Sequence, residues 1–401
     1  MRLAASVALL AAGVAASGAP LAASGVCDVT DYGARGDGTT NDTDAILRAV
    51  AACAPREGAT LLFPAGLNFL SWPLLVEGSR SLVIRVEGTV TAPADPAAWP
   101  IPPPDAFVTV SDFSNLTLGG GGIINGSGAA WWAVRRRDPS RFAPVLVKLS
   151  RGTGARVGRL LLLDSPKFHL VLSGLVGTIV DGTRVQAPAL SPNTDAVDPT
   201  DGTRDLLIRN FEASNGDDCV AIKSGTSDIV VDNATCTYGH GISIGSLGEN
   251  GATSVVRNIT VRNSRFVNSQ NGCRVKTWQG GLGAVSGITY DGVSMTNVQH
   301  PIVVNQFYCP HSQHPGPCTN SSRAVNASQI TFRNISGTTS EPIAAMLDCS
   351  DASPCAGITL ENIDIRPADP RRSTRMECWQ AYGTATNVTP SPCLWGPSPP
   401  L

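Results

Sequence analysis

Charge is sparse in this chain: Lys, Arg, Asp and Glu make up 15% of its 401 residues, and aromatic residues only 5%. The formal net charge is -2, and no basic tail offsets it, so the electrostatic footprint of a nucleic-acid binder is missing. Histidine occurs five times, and the cysteines lack the tight paired spacing of a zinc site. Beyond the N-terminus no apolar run approaches the roughly 20 residues of a membrane helix. Long helical periodicity is scarce as well, whereas Gly, Val, Ile, Thr, Ser and Asn abound, which favours many short strands and turns.

The N-terminus reads as a secretory leader: Met1-Arg2, an apolar run from Leu3 to about Ala16, then small residues. Residues 1–24 are therefore expected to be a signal peptide and residues 25–401 a single exported unit. Nine Asn-x-Ser/Thr sequons fit that route, at Asn41, Asn115, Asn125, Asn233, Asn258, Asn320, Asn326, Asn334 and Asn387. Eleven cysteines in an exported chain imply disulfides with one thiol left over. Local pairing predicts Cys27–Cys53, Cys219–Cys236, Cys309–Cys318, Cys349–Cys355 and Cys378–Cys393. Cys273 remains, read as a buried small apolar residue.

Asn41-Asp42-Thr43-Asp44, ahead of the apolar Ile46, Leu47 and Val50, has the form of a helix start. From about Leu61 a unit of the form x-Ile-x-Val-x-Asn recurs, beginning at Asn115, Gly154, Gly177, Asp205, Asp228, Asn258, Gly287, Gln329 and Gly357. These starts differ by 39, 23, 28, 23, 30, 29, 42 and 28 residues, mostly within the range of a solenoid repeat. Asn or Gly follows the strand at Asn210, Asn233, Asn263, Gly292, Asn334 and Asn362, where a left-handed backbone is needed. The fold expected is all-β: a right-handed parallel β-helix, with a short N-terminal helix capping its open end. Arg135 to Arg137 with Arg141 read first as a solvated loop, and alternatively as a contact for an acidic polymer.

Four polar clusters interrupt this plain pattern: Asn193-Thr194-Asp195, Gly216-Asp217-Asp218-Cys219, Gly239-His240-Gly241 and Arg274-Val275-Lys276. Asp195 to Asp217, Asp218 to His240 and His240 to Arg274 are separated by 22, 22 and 34 residues, so one repeat apart these groups would stand side by side on adjacent turns. Three carboxylates within reach of one another suit acid/base hydrolysis of a glycosidic bond, one donating a proton and others activating water. Adjacent Asp217 and Asp218 are expected to raise each other's pKa. Arg274 and Lys276, two apart on a strand, should face the same way and clamp a carboxylate of the substrate.

The four clusters, with Ile242-Ser243-Ile244-Gly245-Ser246 after the third and Ser165-Pro166-Lys167-Phe168-His169 upstream, resemble the signature motifs of the polygalacturonases, glycoside hydrolase family 28. The resemblance implies secretion, no metal or cofactor, and inverting hydrolysis of α-1,4-linked galacturonic acid in pectin by a monomer. It also implies roles: Asp217 as general acid, Asp195 and Asp218 activating water, His240 maintaining the acid, and Asn193, Arg274, Lys276 and Tyr308 binding the sugar. An inverting enzyme should hold acid and base carboxyls roughly 6.5 to 9.5 Å apart. The chain departs from common members at Ala196-Val197-Asp198-Pro199 and at Cys273.

The alternatives are a relative acting on xylogalacturonan or rhamnogalacturonan, and a non-catalytic wall-binding β-helix. The Gly-His-Gly cluster speaks against rhamnogalacturonan, and the three intact carboxylates against a protein without activity.

Overall fold

The computed structural model describes residues 25–310 and 320–399. The expected leader therefore lies outside the described residues, as does Cys318. Within them the chain winds into a stack of coils whose strands pair in parallel from one coil to the next, from Val26–Asp28 at one end to Ala381–Thr389 at the other.

The period-two alternation explains the stack. Leu206, Ile229, Ile259, Ile288, Ile330 and Ile358 occupy one register position on successive coils and are all buried. Two residues on, Ile208, Val231, Val261, Tyr290, Phe332 and Leu360 form a second buried ladder, in which Tyr290 and Phe332 stack with centroids 5.5 Å apart. Each buried aliphatic side chain contributes roughly 1.5 to 3 kcal/mol. No coil could bury this face alone, so stability comes from stacking.

Left-handed residues recur at two positions along the repeat, of which only the second is expected from the sequence. Asp205, Asp228, Asn258 and Gln329 have φ of 54°, 57°, 56° and 55°, and Gly287 and Gly357 share that region at 67°. The second set, Asn210, Asn233, Asn263, Gly292, Asn334 and Asn362, lies at φ between 49° and 65°. Their amides bond along the stack: Asn233 Nδ2 donates to Asn210 Oδ1 at 2.9 Å, Asn362 to Asn334 at 3.1 Å and Asn387 to Asn362 at 3.0 Å. Thus several sequon asparagines double as structural rungs.

Helix α1 (Thr43–Cys53) covers the N-terminal end, burying Ala45, Ile46, Ala49, Val50 and Cys53. Its cap differs in detail from the expected form. Asn41 Oδ1 accepts the Thr43 N–H, while the buried Asp42 carboxylate accepts from Arg35 N and Gly36 N and ties down the preceding turn. A second helix, α2 (Ala129–Arg137), replaces the loop expected around the arginine run. Trp131 and Trp132 anchor it, and Trp132 Nε1 donates to the Ser165 carbonyl at 2.9 Å.

Disulfides join Cys219–Cys236, Cys349–Cys355 and Cys378–Cys393 as expected, and Cys309 is also disulfide-bonded. The predicted Cys27–Cys53 bridge is not formed: both are buried free thiols in hydrogen-bond contact. Arg56 Nη2 sits 2.6 Å from Cys27 Sγ and engages that sulfur instead. Burial, followed by the Cys27 contact, pushes the Cys53 thiol up to about 12. Cys273 is free and buried within an aliphatic ladder of Val197, Val220, Ile242, Ile302 and Ala345. Burial pushes its thiol well above the ordinary value, which leaves it a poor nucleophile.

Candidate active site

The ladder containing Cys273 also organises the site, because the residues alternating with it face outward on one side of the stack. Backbone N–H groups of His169, Ala196 and Cys219 donate to the carbonyls of Asp195, Asp218 and Gly241. Further along the same strands Ala221 pairs with Ser243 and Ser243 with Arg274. Repeat-length spacing therefore does what the sequence intervals suggest: it sets Asp195, Asp217 and Asp218, His240, and Arg274 and Lys276 on four consecutive coils.

Asp218 is the most heavily compensated group. Its Oδ1 takes Arg274 Nη2 at 2.5 Å and the Ser243 hydroxyl at 2.8 Å, and its Oδ2 takes Lys276 Nζ at 2.9 Å. The carboxylate is 1% exposed. Burial opposes ionisation, but the charges of Lys276 and Arg274 outweigh it and hold Asp218 far below the usual range.

Asp217 is more open, its side chain 17% exposed, and its Oδ1 lies 2.8 Å from His240 Nδ1. Burial would raise its carboxyl, but the hydrogen bond and charge of His240 bring it below the ordinary value. Asn193 Nδ2 approaches Asp217 Oδ2 at 3.4 Å. The charge of Asp218 does push Asp217 up, as expected, but His240, with Lys276, outweighs it and the net shift is downward.

The raised pair lies on the neighbouring coil. Asp195 is driven well above its ordinary value by burial, then by the charges of Asp198 and Asp217. Asp198 is raised to about 7, chiefly by burial. Asp195 Oδ1 and both oxygens of Asp198 are buried without a hydrogen-bond partner in the protein. Lys223 Nζ, 3.8 Å from Asp195 Oδ2, partly offsets them.

Arg274 and Lys276 do face the same way, but their first partner is Asp218 rather than open cleft. Tyr308 is half-buried, with Lys276 Nζ 5.2 Å from its ring centre and Trp278 packed edge-on at 6.0 Å. One oxygen each of Asp217 and Asp218 and one His240 nitrogen lie within 4.8 Å of one another. Their electron pairs are already engaged by Arg274, Lys276, Ser243 and each other, which leaves a poor donor set for a metal ion.

Residues outside the four clusters complete the site. Arg135, from the end of α2, is 9% exposed and donates through Nη2 to Asn193 Oδ1 at 2.6 Å, so the run read as a solvated loop supplies an inward guanidinium. His169 is fully buried: Nδ1 donates to the Asp195 carbonyl at 3.1 Å, and Nε2 accepts the Ser165 N–H at 3.3 Å. A carbonyl only accepts and an amide only donates, so the ring is held neutral in one tautomer. Burial lowers its pKa to about 4. Asp198 was visible as a departure beside Asp195, while Lys223 carried no motif and is found only through the coil register.

Four carboxylates in two electrostatic states, an imidazole and several buried cations on the face of a parallel β-helix define a glycoside hydrolase. Residues 53–385 match the family model for glycosyl hydrolases family 28, and residues 26–77 match a model described as rhamnogalacturonase A/epimerase, pectate lyase-like. The chain is 36% identical over 374 residues to a probable polygalacturonase of Arabidopsis thaliana, covering 91% of this chain and 83% of that one. It is 37% identical over 350 residues to a polygalacturonase of Chamaecyparis obtusa, covering 85% and 67%. An endo-xylogalacturonan hydrolase from Aspergillus tubingensis superposes with a TM-score of 0.78 at 26% identity, covering 90% and 98% of the two chains. The Erwinia carotovora polygalacturonase shares the fold at a TM-score of 0.72 and 23% identity. The chain belongs to glycoside hydrolase family 28.

Proposed function

We propose that this protein hydrolyses α-1,4 links between galacturonic acid units of pectin, with inversion at the anomeric carbon. The observation that carries this reading is the meeting, on adjacent coils, of Asp195, Asp217 and Asp218 with His240, Arg274 and Lys276: Asp217, the most open of the three carboxyls, lies 2.8 Å from His240 Nδ1, and Asp218 holds both cations.

Asp217 is the carboxyl open to the cleft and takes the role of general acid. Its proton is shared with His240 Nδ1, and an anionic sugar seated beside it raises its pKa and moves that proton onto the carboxyl. Asp217 then protonates the leaving oxygen as the glycosidic bond breaks. Asp195 accepts the proton of the attacking water; Lys223, 3.8 Å from its Oδ2, favours the ionised form that does so. Asp218 remains ionised and anchors Arg274 and Lys276, whose residual positive field attracts the galacturonate carboxylate. Asn193 and Tyr308 contact the sugar.

The leader-like N-terminus and the disulfides support action outside the cell, on wall polysaccharide. Similarity to an endo-xylogalacturonan hydrolase supports a second reading, in which xylose-bearing galacturonan is the better substrate. The test is hydrolysis of polygalacturonate and xylogalacturonan, followed by proton NMR of the first product. Release of β-anomeric reducing ends from polygalacturonate fits the first reading. Faster cleavage of xylogalacturonan favours the second, and an unsaturated, ultraviolet-absorbing product would overturn both.

A further inference from the structure

The face that carries the catalytic groups continues toward the C-terminal end of the stack. Lys276 pairs with Asn305, Asn305 with Asp348 and Asp348 with Trp379 on successive parallel strands. The residues just before them, Val275, Val304 and Leu347, are buried in the core, and Cys378 packs against it. Alternation therefore sends Lys276, Asn305, Asp348 and Trp379 outward on the same side. With strands about 4.8 Å apart, Trp379 stands about 14 Å from Lys276 along the stack, a few sugar residues away.

Trp379 is 46% exposed, and its ring packs edge-on against Trp395, 47% exposed, with centroids 5.2 Å apart. Both indole N–H groups are already satisfied, Trp379 by Asp351 Oδ1 at 3.0 Å and Trp395 by the Cys378 carbonyl at 3.3 Å. Ring faces, not polar edges, are what this pair offers. The Cys378–Cys393 disulfide ties together the two segments that carry them. Exposed aromatic surface fixed beyond a polymer-cleaving site suits the apolar face of a pyranose ring.

The charges nearby select which ring. Asp348, Asp351 and Glu377 cluster here, with Arg375 Nη2 2.6 Å from Glu377 Oε1 as the compensating cation. A free galacturonate carboxylate would be repelled, in contrast to the cation-rich centre around Lys276. We propose that Trp379 and Trp395 form a remote sugar-stacking station, filled by an uncharged unit of the substrate chain, a galacturonic acid whose carboxyl is esterified. The proposal rests on the galacturonan-hydrolase reading of the central site.

The test compares wild type, Trp379→Ala and Trp379→Phe on three substrates: partly methyl-esterified pectin, fully de-esterified polygalacturonate and trigalacturonate, which is too short to reach the station from the scissile position. For Trp379→Ala, kcat/KM on partly esterified pectin is expected to fall about 5- to 20-fold, the loss of one stacked ring. On trigalacturonate it should change less than about twofold, and Trp379→Phe should recover most of the loss on pectin. Equal losses on all three substrates would mean that the indole only supports the fold, and no loss on any would remove the station. A greater loss on polygalacturonate than on pectin would overturn the charge selection. Unchanged kinetics with a dimer-to-monomer shift in sedimentation would make the patch a contact between copies. If wild type itself cleaves no galacturonan, both the central reading and this one fall; cleavage by wild type with an unaltered Trp379→Ala sinks this one alone.

Discussion

Lys276 Nζ lies 2.9 Å from Asp218 Oδ2, both side chains almost fully buried, while Arg274 takes the other oxygen of the same carboxylate. Two cations on one buried anion leave the cleft with a surplus positive charge that solvent cannot screen fully. Lys276→Met removes the surplus and leaves Asp218 to Arg274 alone. Breaking such a buried arrangement costs about 3 to 5 kcal/mol, with the remaining arginine favouring the lower end. A urea titration should show the midpoint fall, and kcat/KM on polygalacturonate should drop at least about tenfold, because substrate attraction is lost as well. Full stability in this variant would mean that the ion pair contributes nothing to the fold.

Asp217→Asn preserves shape and allows the His240 contact but removes the carboxyl proton. General acid catalysis contributes on the order of 10²- to 10⁴-fold, so kcat should fall by that factor while circular dichroism stays native. Retention of more than about a tenth of wild-type turnover would show that the proton comes from elsewhere in the cluster, with Asp195 the next candidate.

Asn193→Ala tests the link that α2 makes with the site. It removes the acceptor of the Arg135 Nη2 hydrogen bond and the amide near Asp217. A hydrogen bond to a charged group is worth roughly 1.5 to 3 kcal/mol, so KM should rise and α2 should become easier to cleave by protease. Unchanged proteolysis of α2 would show that Trp131 and Trp132 hold the helix without help from the cleft.

Much of this architecture was legible because its rules are local. Asn210, Asn233 and Asn362 sit at turns whose left-handed backbone favours asparagine and glycine, so a single sequence displays them as a period. The intervals joining Asp195, Asp217 and His240 match coil lengths, which made their juxtaposition visible. The protonation pattern was not legible, since it depends on which groups share low-dielectric space: Lys223 and Asp198 face the same cleft from different coils and no spacing rule announces them. Arg135 is not legible because a run of three arginines looks solvated, whereas on the helix it shares the buried face with Trp131 and Trp132. Cys27 and Cys53 are near in sequence and meet in the fold, but both stay free thiols and Arg56 engages the Cys27 sulfur, which no spacing rule reveals.

Asp198 and His169 provide a test of the buried electrostatics in which the signs oppose one another. Asp198 has its pKa raised from 3.8 to about 7, so between those values the folded protein holds a proton that the unfolded chain releases, and stability falls as pH rises. His169 has its pKa lowered from 6.5 to about 4; between those values the unfolded chain holds the extra proton, and stability rises with pH. Each contributes about 1.4 kcal/mol per pH unit within its window, with opposite sign. Asp198→Asn removes the falling slope and leaves the rising one of His169. Measured by urea unfolding between pH 4.5 and 6.5, a range chosen to lie inside both windows, the variant should gain stability with pH more steeply than wild type by about 1 kcal/mol per unit. It should also be the more stable protein at pH 7, because an unpartnered buried carboxylate no longer has to ionise. Parallel pH–stability curves for the two proteins would show that Asp198 does not carry its proton in the folded state.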